Sequence, residues 1–270
     1  MLTTEIMKAF AGEMTPKFLA TAGADGTPNV VPVISLMAPD PGTLIFGEFM
    51  IWKTRRNLEE NPKVSALVLT EDLRVWTVRG RFAGFQTTGP HVERLNESRM
   101  FRYNAYLGIR RAGVIEVTDV TGHDRLSKAH LMSQVAAVWI AGGRAARRLS
   151  KFDACAVMPP PVLEKFSRLQ AVRVLAVAGA DGWADPFPVM TMRPATSSAL
   201  IFSPGPFREK LAAAKRGAPA AACVITFDPV AYQVKGTWQG ISSHMGIALG
   251  ALTVTEVYSA CPPRPGARIA

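Results

Sequence analysis

Ala20-Thr-Ala-Gly-Ala-Asp-Gly26 returns 156 residues later as Ala176-Val-Ala-Gly-Ala-Asp-Gly182. The same offset holds outward from that stretch. Pro32-Val33 returns as Pro188-Val189, and Leu44-Ile-Phe46 as Leu200-Ile-Phe202. Thr70, Asp72, Val78, Gly80 and Gly84 return as Thr226, Asp228, Val234, Gly236 and Gly240. A repeat at fixed spacing outranks local propensity as a guide to architecture. Two copies are too few for a solenoid, so the pattern predicts two similar globular modules. The length of 270 residues agrees with two domains.

Within each copy the pattern predicts short strands, turn residues and few helices. In the first, Thr4 to Met14 reads as an amphipathic helix capped by Thr3 or Thr4. Lys17 to Ala22 is a strand, Asp25-Gly26 a two-residue hairpin turn, and Asn29 to Met37 the returning strand. A turn at Pro39 to Gly42 leads into a strand over Thr43 to Gly47. Lys53 to Glu60 is a short helix stopped by Asn61-Pro62. Val64 to Thr70 and Arg74 to Phe85 are strands, the latter kinked at Gly80 and Gly84. Pro90 to Leu107 is helical, and Gly113 to Val120 closes the unit. The second copy starts with a helix over Pro161 to Leu169 and lacks the long helix. Only Ile241 to Gly250 stands before its closing strand, Ala251 to Val257. Leu126 to Arg148 is a helix with no partner in the repeat, and Lys151 to Pro161 a linker. The Pro/Gly/Arg-rich stretch from Pro262 to Ala270 reads as a loose tail.

The expected fold is therefore mainly β with peripheral helices (α+β). It consists of two tandem antiparallel barrels of about six strands each, able to form an internal pseudo-dimer. The expected divisions are 1–122, a connector over 123–160, and 161–270. Barrel closure would remove exposed strand edges.

Hydrophobic residues make up 48% and charged residues 19%, which describes a globular chain with a real core. A net charge of +10 favours anionic partners. The basic residues (Arg55-Arg56, Arg79, Arg81, Arg110-Arg111, Arg144, Arg147-Arg148) are scattered, and no nucleic-acid-binding motif accompanies them. Nucleic acid is therefore not expected as a partner. The longest central apolar run, Val135 to Gly142, is too short to span a bilayer, so no membrane partner is expected. Cys155, Cys223 and Cys261 are far apart and form no CxxC pair. No metal site is expected, and a cytoplasmic location is.

The stretch Gly47-Glu-Phe-Met-Ile-Trp-Lys-Thr-Arg-Arg-Asn-Leu58 carries the chemistry. A strand ends, a loop follows, and a helix begins near Thr54. Free N–H groups and the positive end of the helix dipole form an anion site there. Lys53, Arg55 and Arg56 add positive charge, and Thr54 a neutral donor. The duplicate stretch, Ser203-Pro-Gly-Pro-Phe-Arg-Glu-Lys-Leu211, has no Lys-Thr pair and carries a glutamate. The first copy is thus expected to bind an anion that the second does not.

The run Ala20 to Gly26, Val31-Pro32-Val33, Lys53-Thr54-x-x-Asn57-Leu58, Asn61-Pro62-x-Val64, Val78-Arg79-Gly80-x-Phe82 and Thr88-Gly89-Pro90 resembles the FMN-binding split-barrel family, which includes pyridoxamine 5′-phosphate oxidase-like proteins. The resemblance implies two tandem split barrels and FMN as cofactor. It implies a flavin phosphate at Lys53 and Thr54, with Asn57 in the same motif. It implies an isoalloxazine against paired strands over Val31, Pro32, Val33 and Ser35 and over Ile45, Phe46 and Gly47, with Trp52 and Phe49 near the ring or ribityl chain. The function implied is a flavoprotein, an oxidoreductase or electron carrier supplied by NAD(P)H or a redox-protein donor. Its site would form between barrels, within one chain or in a homodimer. No catalytic residue is singled out. Two other readings stay open: a non-enzymatic flavin-binding or sensing module, and a haem-binding relative using His244.

Overall fold

The structure is a computed structural model and describes residues 1–49, 51–98, 108–150, 157–228, 230–261 and 264–270. The first half contains β1 (Lys17–Ala22), β2 (Pro28–Pro32), β3 (Met37–Asp40), β4 (Thr43–Gly47), β5 (Lys63–Leu69), β6 (Arg74–Gln86) and β7 (Ala112–Arg125). The second contains β8 (Val172–Ala178), β9 (Ala184–Pro188), β10 (Arg193–Thr196), β11 (Ala199–Phe202), β12 (Pro219–Ile225), β13 (Ala231–His244) and β14 (Ile247–Ser259). Helices α1 (Thr4–Ala11), α2 (Trp52–Glu60) and α3 (Pro90–Glu97) belong to the first half. α4 (Lys128–Leu149) connects, and α5 (Pro160–Ser167) and α6 (Arg208–Ala213) belong to the second.

Hydrogen bonding orders the first sheet β2-β1-β5-β6-β7-β4-β3 and the second β9-β8-β12-β13-β14-β11-β10, the same order under the repeat. All pairings are antiparallel. Each half is a split barrel with open edges, and those edges carry prolines: Pro28 and Pro32 in β2, Pro39 in β3, Pro186 and Pro188 in β9, Pro194 in β10. A proline cannot donate to a further strand, so it blunts an edge that closure would otherwise remove.

Among the described residues each half has seven strands, one more than the sequence predicts. The expected strand Asn29 to Met37 is two strands, because the chain turns at Val33 to Leu36, where the Leu36 N–H donates to the Val33 carbonyl at 3.1 Å. An unbroken apolar run hid that corner. The Asp25-Gly26 turn is a five-residue loop, since Ala22 pairs with Pro28. Asp25 holds it by accepting from the Thr27 N–H at 2.9 Å and the Thr27 hydroxyl at 2.8 Å. Gly80 and Gly84 lie at register shifts between β6 and β7. At the matching bulge in the second half a Cβ on Gly236 would lie 1.8 Å from the Thr253 carbonyl oxygen, which no side chain survives. β13 and β14 form a hairpin running through Ile241 to Gly250, a span expected to separate them. Part of the helix expected over Pro90 to Leu107, the start of the linker with Cys155, and Pro262-Pro263 lie outside the described residues.

α1 stops at Ala11 rather than Met14 for a chemical reason. Lys17 donates to the carbonyls of Phe10 at 3.0 Å and Gly12 at 2.9 Å, satisfying acceptors at the helix C-terminus. Arg173, its counterpart, donates to the carbonyls of Phe166 at 3.0 Å, Ala171 at 3.1 Å and Met190 at 2.8 Å. Burial lowers the Lys17 pKa to about 8 and that of Arg173 to about 10. The duplicated module thus keeps its buried helix-capping cation.

α4 buries Val138, Ala141, Ala145 and Leu149 against Ala199, Ile201, Leu249 and Ala251. It covers the face of the second sheet that α3 covers in the first, where Leu95 packs on Ile45, Ala112 and Val114. The two halves share one core. Phe18, Ala20, Val30, Leu67 and Val75 pack in one cluster with Val174, Leu175, Cys223, Val224 and Val234. This internal pairing of barrels places β2 beside β8 and β12, and β9 beside β1 and β5.

Candidate functional site

The split between β2 and β4 opens onto the second half. A cavity of about 290 Å³ lies there, lined from the first half by Asn29, Val31, Pro32, Val33, Ile34, Ser35, Gly47, Phe49, Ile51, Trp52, Lys53 and Thr54. Its far wall is β13 and the end of β14, with Gln233, Tyr258 and Cys261. Its volume is near the lower end of ordinary cofactor sites, about 300–1,000 Å³. Exposed Ile34, Phe49 and Trp52 (68%) extend an apolar rim around the mouth.

Eight of the ten sequence-selected residues line this space: Val31, Pro32, Val33, Ser35, Gly47, Trp52, Lys53 and Thr54. Two do not. Phe46 is fully buried and packs on Phe82 and Phe85, with ring centroids 6.3 and 6.1 Å away. Asn57 is buried on the inner face of α2 and donates to the Thr21 hydroxyl at 3.0 Å. The segments Val31 to Ser35 and Ile45 to Gly47 are not paired strands: β2 pairs with β1, and β4 with β7 and β3. Their link is the Gly47 N–H donating to the Ser35 hydroxyl at 3.0 Å. Ser203 and Thr191 repeat it at 3.0 Å, so that bond belongs to the module.

The helix start is open. Ile51 is the N-cap of α2 and supplies no side-chain hydrogen bond. Among the described residues no hydrogen bond takes the N–H groups of Trp52, Lys53 or Thr54. First-turn N–H groups have no acceptor within their own helix, and these three residues line the cavity. The Thr54 hydroxyl accepts from the Asn29 amide at 3.1 Å, which leaves its own proton to donate.

The positive charge is distributed differently from the sequence expectation. Arg55 pairs with Glu59 at 2.8 Å and Glu48 at 3.2 Å, and Arg56 with Glu60 at 2.8 Å. Both arginines are already neutralised by ordinary i,i+4 spacing or by Glu48. Lys53 has no carboxylate partner among the described residues. Its ammonium sits 4.1 Å from the centroid of the Tyr258 ring.

A second cation was missed. Lys235 on β13 is only 3% exposed. Burial first, and then the Lys53 ammonium beside it, push its pKa down to about 7. Asn29, Gln233, Tyr258 and Lys235 all escaped the sequence reading. The signal existed for Lys235, because Val78-Arg79-Gly80 aligns with Val234-Lys235-Gly236 and marks a paired cationic position. His244, in contrast, does not line this cavity. It lies in a separate cleft with Arg148 and Arg216, with its ring nitrogen 2.8 Å from the Ser242 hydroxyl.

The family model described as pyridoxamine 5′-phosphate oxidase matches residues 3–126. The amino-terminal half is a pyridoxamine 5′-phosphate oxidase-like split barrel. An uncharacterized protein of Methanocaldococcus jannaschii is 36% identical over 66 residues, covering 24% of this chain and 43% of that relative. The match thus spans less than half of the relative's length. Among solved structures, an FMN-binding protein from Syntrophomonas wolfei is 16% identical, covers 46% of this chain and 89% of its own, and has a TM-score of 0.39. A haem storage protein from Vibrio cholerae is 19% identical, covers 46% of this chain and 95% of its own, and has a TM-score of 0.32.

Within this split barrel the residues present fit a group that ends in a phosphate. The first turn of α2, the Thr54 hydroxyl, the Asn29 amide and the Lys53 ammonium line one part of the cavity, and apolar side chains another; Lys235 is buried beside Lys53, behind that lining. No group of three or more His, Cys, Asp or Glu close enough to hold a metal ion occurs among the described residues. No helix among them is long and apolar enough to cross a membrane.

Proposed function

We propose that this protein is a flavoprotein that holds FMN in the cavity between its two halves. The observation that carries the reading is the start of α2 at Trp52 to Thr54, without a side-chain cap and with no carboxylate in contact with Lys53 among the described residues. An ammonium with first-turn N–H groups and a hydroxyl is the donor set a phosphate dianion selects. Val31, Val33, Phe49 and Trp52 offer apolar surface for a planar ring, and Gln233 and Ser35 offer polar edges.

When bound, FMN supplies one- and two-electron chemistry. The chain's own residues bind, orient and exclude water. Lys53 and the first turn of α2 would hold the phosphate end, and the apolar residues of β2 and the corner after it would hold the ring. The wall from β13 and β14 comes from the duplicate half, so one chain completes a site that needs two barrels. Among the described residues no acid-base dyad lines the cavity, and the reading is therefore electron transfer or flavin reduction by NAD(P)H or a protein donor rather than elaborate substrate chemistry.

The test is an FMN titration of the wild type and of Lys53→Ala. Loss of a charged hydrogen bond to phosphate is expected to weaken binding by about 1.5–3 kcal/mol. Unchanged affinity in the variant contradicts the site. Anaerobic bleaching of bound FMN by NADH or NADPH, with turnover, identifies an enzyme; retention without reduction identifies a binding module.

A further inference from the structure

We propose that Lys235, supplied by the duplicate half, is the second cation of the phosphate site, and that the chain therefore takes one phosphate-bearing ligand rather than two. The inference rests on the flavin reading above and names which residue of the second half makes that site anion-selective.

Two loci related by the repeat differ in what satisfies their cation. Arg79 on β6 is the counterpart of Lys235 on β13, and Asp185 on β9 is the counterpart of Asn29 on β2. At the Arg79 locus the cation is satisfied by the protein. The Arg79 Nε–H donates to Asp185 at 2.9 Å, a second guanidinium N–H donates to the other oxygen of the same carboxylate, and a third bond reaches Asp181 at 2.9 Å. The Ser65 hydroxyl also donates to Asp185, at 2.9 Å. Phe187 stands where the first half has Val31, and its ring lies 5.8 Å from that of Phe207. The space left is a cleft of about 50 Å³. That locus contains its own anion and is filled.

At the Lys235 locus the anion is missing. Asn29 replaces the aspartate and donates an amide hydrogen to the Thr54 hydroxyl. Asp25, the counterpart of Asp181, accepts from the Thr27 N–H and hydroxyl in its own loop. Glu256, across from Lys235 on β14, accepts from the Tyr258 hydroxyl at 2.8 Å and pairs with Arg268 at 3.4 Å. Among the described residues no carboxylate lies in salt-bridge contact with Lys235: Glu256 and Asp25 act on it from beyond contact, and the Lys53 ammonium outweighs either. Two ammonium groups held together, one of them buried, are costly unless an anion joins them. The duplicate shows what the protein does when it supplies that anion itself. Here it supplies none, and the buried ammonium stands beside Lys53 of the first turn of α2.

The experiment measures FMN and riboflavin affinities, by flavin fluorescence, for the wild type, Lys235→Met, Lys235→Gln and Lys235→Arg. Thermal unfolding with and without inorganic phosphate runs beside it. Riboflavin has the same ring and no phosphate, so the ratio of the two affinities isolates the phosphate end. Lys235→Met and Lys235→Gln are expected to lose about 10- to 100-fold in FMN affinity, the range for a charged hydrogen bond, with riboflavin changed by less than about twofold. Lys235→Arg keeps most of the preference, and the wild type saturates at one FMN per chain. Inorganic phosphate raises the midpoint of the wild type but not of the neutral variants. An unchanged FMN-to-riboflavin ratio in folded neutral variants overturns the proposal, as does saturation at two FMN per chain. If phosphate stabilises only the lysine and arginine forms while no form binds FMN, the anion site stands and the flavin reading falls.

Discussion

Replacing Lys235 by methionine removes a buried ammonium, and the structure sets both the sign and the pH range of the effect. In the unfolded chain this lysine titrates at its ordinary 10.5; in the folded protein burial and the neighbouring Lys53 hold it near 7. Between these values the unfolded chain binds more protons, so wild-type stability rises with pH from about 7 towards 10. Below pH 7 the ammonium is present in both states and the whole penalty acts on the folded one. The difference corresponds to a ceiling of about 4–5 kcal/mol, and local relaxation and water access reduce such penalties. We expect Lys235→Met, in phosphate-free buffer, to be more stable than the wild type by about 1–3 kcal/mol at pH 6.5, with the gap shrinking towards pH 10. Lys17, lowered to about 8, slopes in the same direction in both proteins and cancels in the comparison. Urea unfolding at several pH values measures the gap. A variant less stable than the wild type at pH 6.5, or a gap that does not change with pH, would refute the reasoning.

Two further predictions use the repeat. Val31→Phe copies Phe187 into the first half; it should reduce FMN affinity at least tenfold while the unfolding midpoint moves by only a few degrees, read by fluorescence titration and calorimetry. Asp185→Asn leaves Arg79 without its two-oxygen partner at the half-buried duplicate locus, and should lower stability by about 2–3 kcal/mol in chemical denaturation, with FMN affinity at the first site unchanged.

The fold was largely legible because a repeat constrains many residues at once. Thr70, Val78 and Gly80 recur with Thr226, Val234 and Gly236, and the two sheets share one strand order. What stayed hidden were events that apolar patterning does not encode. The corner at Val33 to Leu36 lies inside an unbroken buried run, so β2 and β3 read as one strand. Phe46 was included because the family resemblance implied the whole strand over Ile45 to Gly47, yet strand alternation points it into the core beside Gly113, where a Cβ would meet its ring at 2.2 Å. At the site, Lys53 and Thr54 were readable from a helix start after a strand. Arg55 and Arg56 were misread as free charge because their partners are themselves on or near α2. Lys235 required the barrels to be brought face to face, a contact between residues 182 positions apart. Its aligned partner Arg79 was the available clue, and the exchange of Asp185 for Asn29 completed it.

The central claim is that the first half holds a phosphate between the start of α2, Lys53 and the second half's β13 wall. A crystal structure at saturating FMN tests it most directly. The account predicts a single flavin per chain, its phosphate hydrogen-bonded to the N–H groups of Lys53 or Thr54 and its ring between Val31 and the mouth at Trp52. A phosphate found elsewhere, with the α2 N-terminus untouched, would contradict it.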